Sequence, residues 1–134
     1  FSARDGMGIT LLQRAGIITA IITSENTPIV TKRAAKLKIQ HVILGSHEKH
    51  TALRGLADTL GMELENVCFI GDDVNDAFAI QAAGFSAAPA DATDYIKSRV
   101  SYVTHANGGY GAVREVAEMI LQAQSKPVSL PEQW

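Results

Sequence analysis

The sequence predicts an α/β fold built around a mostly parallel β-sheet. Short apolar runs of strand length alternate along the chain with longer amphipathic segments of helix length, as in parallel α/β proteins. The short runs are rich in Ile and Val, which is typical of strands that are covered on both faces. The 134 residues are enough for one compact domain, which we place at residues 1–125.

Four strands and a first helix follow from this pattern. The predicted strands are Ile17–Ile22, His41–Leu44, Val67–Ile70 and Phe85–Ala88. Thr27 is a suitable N-cap and Pro28 a favourable first helical residue, so a helix is expected from there to about Leu37.

Two further helices and a tail complete the prediction. One apolar helix face consists of Leu53, Leu56, Ala57 and Leu60. Gly61 is placed to end that helix. The last helix is Ala112–Gln124, and the glycine-rich stretch 107–111 before it either brings backbone close to a ligand or only turns the chain. Residues 126–134 contain two prolines and no periodicity, so an extended tail is expected there.

The composition argues against several classes of protein. A formal net charge of -2 with 46% hydrophobic residues favours neither disorder nor a nucleic-acid partner. The single cysteine, Cys68, lies in an apolar run and cannot form an intrachain disulfide, which favours a reducing compartment. No apolar stretch approaches the roughly 18 residues that span a bilayer, and no signal pattern begins the chain. We therefore expect a cytoplasmic protein that acts on a small polar metabolite and binds no membrane.

Polar side chains follow three predicted strands at the point where each ends. In chain order they are Thr23-Ser24-Glu25, then Ser46 and Lys49, then Asp72, Asp73 and Asp76. Ligands of open parallel sheets bind outside the carboxyl ends of the strands. Carboxylates suit Mg²⁺, whereas lysine and threonine suit phosphate oxygens. A site for Mg²⁺ and a phosphate is therefore predicted at this edge.

Each of these residues also has an ordinary structural interpretation. The acidic run would serve equally as a turn and helix cap, although acids so close together repel one another unless a cation compensates. Lys49 would be a solvated lysine at a helix start, and Thr23 a cap or turn residue. Arg4 and Asp5 would form an ion pair near a helix start. The four histidines show no metal-ligand spacing and are left unassigned.

The order of the motifs resembles one family of phosphatases. The motifs are Arg4-Asp5-Gly6-Met7-Gly8-Ile9, Ile21-Ile22-Thr23, Lys49, Ile70-Gly71-Asp72-Asp73-Val74-Asn75-Asp76, Pro89-Ala90-Asp91-Ala92 and Gly108-Gly109-Tyr110-Gly111-Ala112-Val113-Arg114-Glu115. They resemble the capless phosphatases of the haloacid dehalogenase superfamily, in the group that acts on 3-deoxy-D-manno-octulosonate 8-phosphate and nonulosonate 9-phosphates. The resemblance spans nearly the whole chain and implies a three-layer, Rossmann-like sandwich without a cap domain.

The resemblance also implies residue roles. In the family an aspartate at the end of the first strand attacks phosphorus, and a second aspartate two positions later acts as general acid and base. Thr23 would then hold the phosphoryl oxygens, and Lys49 would offset the charge of nucleophile and phosphate. The resemblance makes Asp72 a Mg²⁺ ligand, Asp73 a further or water-mediated ligand, and Asp76 a supporting residue.

The chain departs from the family at the first motif. The Asp-x-Asp-Gly strand of the family precedes the Arg4 motif, and here only residues 1–3 do so. A central strand and the nucleophile are absent from these 134 residues, so we expect the polypeptide to show no turnover. The alternative is a non-catalytic phosphatase-like scaffold or regulatory subunit. A receiver domain is disfavoured because its phospho-accepting aspartate would precede the threonine and the lysine.

The second motif bears on the substrate. Octulosonate phosphatases typically continue it as Thr-Gly-Arg, whereas this chain has Glu25 and carries Lys36 in the following helix, as the nonulosonate phosphatases do. We therefore expect a nine-carbon acid, although the Arg4 motif and residues 108–114 resemble the eight-carbon enzymes. The residues expected to contact the substrate are Thr23, Ser24, Glu25, Lys36, Lys49, Arg4 and Arg114. The two arginines could instead contact a neighbouring subunit.

The resemblance further implies a homotetramer. In the family, hairpins before the first helix pack together and the C-terminal tail reaches a neighbour's site. The tail of this chain carries Leu130 and Trp134, which would be costly to leave in water without a docking surface.

Overall fold

A computed structural model of the chain describes residues 2–125. Its helices are α1 (Ala3–Arg14), α2 (Pro28–Lys36), α3 (Lys49–Leu60), α4 (Ala77–Ala82), α5 (Asp94–Lys97) and α6 (Ala112–Ala123). Its strands are β1 (Ala20–Ile22), β2 (His41–Ile43), β3 (Cys68–Ile70), β4 (Phe85–Ala88) and β5 (Tyr102–Val103). Short 3₁₀ turns, Leu64–Asn66 and Val74–Asp76, precede β3 and α4. The predicted tail at 126–134 lies outside the described residues.

All strand pairs within these residues are parallel, as the alternation of strands and helices predicts. β1 pairs with β2 in the register Ile21 to Val42, and β4 pairs with β3 on one side and β5 on the other. The strands form two separate sheets, of order β1-β2 and β3-β4-β5, and β1 does not pair with β3.

Helices cover both faces of the strands. One buried cluster comprises Leu53, Phe69, Ala79, Ile80, Ala88, Ala92 and Ile96, from α3, α4, α5, the strands β3 and β4 and the loop after β4. A second comprises Ile9, Ala34 and Ile39, against which Ile21, Leu37, Val42 and Val113 pack. The second cluster joins α1, α2 and the start of α6 to β1 and β2. The three layers confirm the predicted fold class.

Helix α1 is not evident from sequence periodicity because two glycines interrupt it. Gly6 and Gly8 lower helix propensity by about 1 kcal/mol each relative to alanine. Gly8 is required by packing: a Cβ at this position would lie 2.8 Å from the Cα of Arg114 in α6. The glycine therefore lets α1 and α6 approach closely.

The predicted helix ends agree with the structure at most positions. Gly61 follows α3 in the left-handed conformation, with φ 66°, as expected for a glycine at the end of a helix. Thr27 occupies the N-cap position of α2, but its side chain makes no capping hydrogen bond. The first strand begins at Ala20 instead of Ile17, so the Ile-rich run overestimates its length.

The cysteine behaves as a packed apolar side chain. Cys68 begins β3 and is partly buried, and burial raises the pKa of its thiol to about 11. None of the helices among residues 2–125 is both long and apolar enough to cross a bilayer.

Candidate active site

The loops after β1 and β2 are joined by backbone hydrogen bonds at the carboxyl edge of the strands. The N–H of Ser46 donates to the carbonyl of Thr23 at 2.9 Å, and the N–H of Gly45 donates to the carbonyl of Glu25 at 3.0 Å. The hydroxyl oxygen of Thr23 accepts from the N–H of Glu25 at 3.1 Å, so its own proton can point towards a ligand. The two loops are therefore held together at this edge of the strands.

Lys49 and the acidic loop meet at the same edge. The Lys49 Nζ lies 2.7 Å from Oδ1 of Asp76, and the two side chains are only 12% and 4% exposed. Lys49 is the first residue of α3 and Asp76 ends the turn that precedes α4. This buried ion pair ties the residue after the second strand to the residues after the third.

Asp76 also shapes the acidic loop. Its Oδ2 accepts from the N–H groups of Asp72, at 2.9 Å, and Asp73, at 3.3 Å. A Cβ on Gly71 would lie 2.6 Å from the Cβ of Asp76, so only glycine permits this approach. With both oxygens engaged, Asp76 lies behind the loop and supports it.

Asp72 and Asp73 have different surroundings. Although Asp72 as a residue is exposed, partial burial of its carboxyl group and then the nearby Asp76 carboxylate raise its pKa, against the opposing effect of Lys49. The side chain of Asp73 accepts from the N–H of Val74 at 2.6 Å and forms a capping box with Asp76. The acidic motif is thus a turn and a cap, and Asp72 alone of its three acids makes no capping contact.

A three-residue metal cluster is not formed by the described side chains. No group of three His, Cys, Asp or Glu residues within 2–125 is arranged to hold a metal ion. Asp72, Asp73 and Asp76 are close in space, but Asp76 is directed at Lys49 and at backbone N–H groups. The acidic loop by itself offers a partial set of oxygen ligands.

The structure does not show the ion pair that was the ordinary structural interpretation of Arg4 and Asp5. Asp5 is 1% exposed, and its carboxylate accepts from the backbone N–H groups of Gly111, Val113 and Arg114, at 3.0–3.4 Å. These are the first N–H groups of α6, which have no partner within their own helix. The carboxylate of α1 therefore caps α6, and the glycine-rich stretch 107–111 turns the chain into it.

A second carboxylate holds the loop that precedes α6. Glu115 accepts from the hydroxyl of Tyr102 at 2.6 Å and from the N–H groups of His105 and Ala106, at 3.0–3.1 Å. Burial alone would raise the pKa of Glu115, but these hydrogen bonds outweigh it and lower the pKa. The charged form of Glu115 is therefore favoured in the folded chain.

We expect Glu115→Gln to destabilise the chain by about 1 kcal/mol at neutral pH, because the loop N–H groups lose a charged acceptor on a partly exposed residue. A lowered folded pKa contributes stability that is present above the unfolded pKa and lost as pH falls through the folded pKa. The difference between variant and parent should shrink as pH falls through the acid range, measured by urea denaturation. Glu118→Gln, at the half-exposed end of an ion pair with Arg114, is the control, and an equal loss there would contradict the prediction.

Several predicted substrate residues are not brought to the acidic loop. Lys36 is exposed on the last turn of α2, roughly 12 Å along the helix axis from Pro28. Arg114 pairs with Glu118 at 2.9 Å, and Arg4 is exposed beside Gly111. Ser24 and the exposed Glu25 lie in the loop after β1, at the same edge as Thr23. Their contacts to a substrate stay predictions.

Two supporting residues of this edge carried no predicted role. The Oδ1 of Asp91 accepts from the N–H of Gly108 at 2.8 Å, and the N–H of Thr93 donates to the carbonyl of Asp72 at 3.1 Å. The sequence signal that could have revealed this role is the Pro89-Ala90-Asp91-Ala92 motif. It connects the acidic loop to the glycine-rich stretch.

Comparison with known proteins identifies the family. Residues 9–116 match the family described as haloacid dehalogenase-like hydrolase. The chain belongs to this family. Its class of activity is therefore that of a phosphomonoester hydrolase, and the predicted resemblance is confirmed.

Two similar proteins carry the same name. The 3-deoxy-D-manno-octulosonate 8-phosphate phosphatase of Haemophilus influenzae is 44% identical over 126 residues, which are 94% of this chain and 70% of that protein. The phosphatase of the same name from Salmonella typhi is 41% identical over 126 residues, which are 94% of this chain and 67% of that protein.

One similar solved structure contains bound ligands. The enzyme of that name from Moraxella catarrhalis, in complex with magnesium ion, phosphate ion and KDO, superposes with a TM-score of 0.91 at 43% identity. The match covers 93% of this chain and 72% of that one. A cobalt-bound relative from Haemophilus influenzae also gives a TM-score of 0.91.

Proposed function

We propose that this chain is the phosphatase module of an enzyme that removes the terminal phosphate of a 2-keto-3-deoxy sugar acid phosphate. The observation that carries the proposal is the buried contact between Lys49 and Asp76 beneath Asp72, at the edge that also holds Thr23. Two relatives that are 44% and 41% identical to the chain over 126 aligned residues are named for this reaction. An ammonium and a hydroxyl at this edge can bind phosphoryl oxygens.

We also propose that the site takes Mg²⁺. Asp72 is the best-placed ligand, since its carboxyl group makes no capping contact and lies beside Asp76 and Lys49; partial burial and then the Asp76 carboxylate raise its pKa. Asp73 would add an oxygen directly or through water. Bound Mg²⁺ would neutralise phosphate charge. The fit is partial because the described residues offer two suitable carboxylates where a complete site needs further oxygen ligands.

The roles of the chain's own residues follow from their placement. Lys49 is held by Asp76 with its ammonium group at the carboxyl edge, where it offsets the charge of a phosphoryl group. Thr23 offers a hydroxyl proton from a fixed turn. Neither residue supplies a carboxylate that could attack phosphorus, and no Asp-x-Asp-Gly motif occurs in the 134 residues.

The eight-carbon acid is the favoured substrate. The relatives named above act on 3-deoxy-D-manno-octulosonate 8-phosphate. Glu25 and Lys36 favour a nine-carbon acid as the second candidate, but Lys36 lies at the far end of α2 from Thr23 within the same chain. Residues from a second copy would have to complete a site that uses Lys36.

The substrate assignment is tested by comparing kcat/KM for the two phosphates. The protein used carries an Asp-x-Asp-Gly strand and hairpin fused ahead of Phe1. We expect the eight-carbon phosphate to be preferred about tenfold, equivalent to about 1.4 kcal/mol in transition-state binding. A tenfold preference for the nine-carbon phosphate would support the second candidate. A folded protein inactive on both would overturn the assignment.

We propose that the protein forms a homo-oligomer, and specifically the homotetramer that the family resemblance implies. Several large apolar side chains are exposed on the single chain, namely Ile29, Val74, Phe78, Tyr95 and Tyr110. Val74, Phe78 and Tyr95 among them line one surface pocket, and an exposed apolar patch favours contact with another protein surface. A cytoplasmic location stays a prediction.

A further inference from the structure

A surface pocket lies between α4 and α5, outside the candidate active site. Its volume is about 420 Å³, within the range of roughly 300–1,000 Å³ that is usual for small-molecule sites. The residues that line it include Val74, Phe78, Ile80, Gln81, Tyr95 and Arg99. The phosphate-site residues Thr23 and Lys49 do not line it, although Val74 adjoins the acidic loop.

Two aromatic rings line this pocket from opposite helices. Phe78 of α4 is 67% exposed, and Tyr95 of α5 is 46% exposed. The Phe78 ring contacts the ring of His50 in α3, with centroids 5.3 Å apart. Ile80, at 3% exposure, belongs to the buried cluster beneath the pocket. A flat ring that enters the pocket would therefore exchange water for contact with aromatic and aliphatic surface.

Arg99 is held in a defined position beside these rings. Its guanidinium carbon lies 3.5 Å from the centroid of the Tyr95 ring. Its Nη1 donates to the carbonyl of Tyr95 at 2.8 Å and to the hydroxyl oxygen of Ser98 at 3.0 Å. Both hydrogen bonds use the same nitrogen. The Nε–H and the Nη2 group remain, and this is an edge that can bind a carboxylate or a phosphate with two parallel hydrogen bonds.

The charge of Arg99 has no counter-charge within residues 2–125. None of the ion pairs among these residues includes it. Asp94 and Lys97, the charged residues nearest to it in sequence, pair with each other at 3.7 Å. The hydrogen bond to the Tyr95 carbonyl is an ordinary contact at a helix end, but it leaves the second edge of the guanidinium unused. An ordered guanidinium beside aromatic surface favours an anion that comes from outside the chain.

We propose that this pocket binds a small aromatic anion, that is, a flat ring that carries one carboxylate or phosphate group. The ring packs against Phe78 and Tyr95, and the anionic group binds the Nε and Nη2 edge of Arg99. Gln81, one turn after Phe78, offers an exposed amide to a polar substituent of the ring. Aromatic carboxylates and nucleoside monophosphates share this chemistry. Binding at this pocket does not rest on the proposed function.

The test is a titration of the full 134-residue chain, isotope-labelled and followed by the NMR shifts of its amides. Indoleacetate is compared with neutral indoleacetamide, and adenosine monophosphate with neutral adenosine. We expect at least one anion to bind with a Kd of about 1 mM, and its neutral partner to bind about tenfold more weakly. The shifts should cluster at residues 74–81 and 95–99. The tighter of the two anions identifies the source of the ligand.

Two results of this titration would overturn the proposal. One is the absence of saturable binding by both anions. The other is equal affinity for each anion and its neutral partner, because Arg99 would then contribute nothing to recognition.

Matched variants test the position of the site. Arg99→Leu should weaken binding of the anion about tenfold and leave binding of the neutral partner unchanged. Arg54→Leu is the control, since Arg54 is exposed on α3 and does not line the pocket. Phe78→Ala should weaken the anion and its neutral partner alike, because both lose the same ring contact. Parental affinity in the Arg99 or the Phe78 variant, with an unchanged circular dichroism spectrum, would contradict the assignment.

A second copy of the chain is the other candidate occupant. The homo-oligomer proposed above does not require this pocket, since Ile29 and Tyr110 are exposed outside it. The affinity for the anion should therefore stay constant when the protein is diluted, with the oligomeric state followed by sedimentation. An affinity that rises as the oligomer dissociates would show that a second copy fills the pocket, and would overturn the proposal.

Discussion

A protein with an Asp-x-Asp-Gly strand and hairpin fused ahead of Phe1 is expected to release phosphate from the eight-carbon sugar acid phosphate in a Mg²⁺-dependent reaction. The 134-residue chain is expected to show no turnover above buffer, because Lys49 and Thr23 can hold a phosphoryl group but the sequence contains no Asp-x-Asp-Gly motif to supply the attacking carboxylate. Loss of a nucleophile that acts with its neighbours as a unit costs about 10⁴-fold or more in kcat. The measurement is phosphate release under saturating substrate, with and without chelator.

The control for this experiment is the fused protein with its first aspartate changed to asparagine. This variant keeps the added strand and should retain the thermal stability of the fused protein while losing turnover. Clear Mg²⁺-dependent turnover by the 134-residue chain would contradict the prediction. A folded fused protein without activity on any sugar acid phosphate would favour the alternative of a non-catalytic scaffold.

Replacing Asp76 with alanine is expected to destabilise the fold by about 3–5 kcal/mol. The substitution leaves the Lys49 ammonium, whose side chain is only 12% exposed, without its counter-charge. It also removes the acceptor for the N–H groups of Asp72 and Asp73, so the acidic loop loses its support. Urea denaturation monitored by circular dichroism measures the free energy of unfolding.

An exposed ion pair in the same chain provides the control. The Asp94 side chain is fully exposed and lies 3.7 Å from the Nζ of Lys97. Asp94→Ala should change the free energy of unfolding by no more than about 0.5 kcal/mol. Lys49→Met combined with Asp76→Ala should cost less than the sum of the two single changes, since neither charge is then left unpaired. A loss below about 1 kcal/mol for Asp76→Ala would show that the pair is not buried in solution.

The fold was predictable wherever hydrophobic runs and helix-end signals agreed. The Ile- and Val-rich run at 67–70 gave a strand, and Gly61 ended a helix where expected. Helix α1 was not predicted from periodicity because Gly6 and Gly8 argue against a helix unless the closeness of α6 is known. Strand β5 has two residues, too few for a periodic signal.

The candidate site was predictable for the residues that follow the carboxyl ends of the parallel strands, where ligands of such sheets bind. This rule brought Lys49 and Asp76 to one edge before any coordinates, and the structure joins them. The role of Asp5 was not accessible, because its partners are backbone N–H groups more than a hundred residues further along the chain. Sequence neighbours suggested Arg4 instead, whereas burial and helix capping decide the contact.

The position of the cysteine has a practical consequence for handling the protein. With a thiol pKa of about 11, Cys68 carries very little thiolate at neutral pH. Air oxidation and alkylating reagents act through the thiolate, so the purified chain should tolerate buffers without reductant and resist accidental cross-linking. A chain that unfolds even transiently would lose this protection, which makes slow modification of the sulfur a sensitive sign of a damaged preparation.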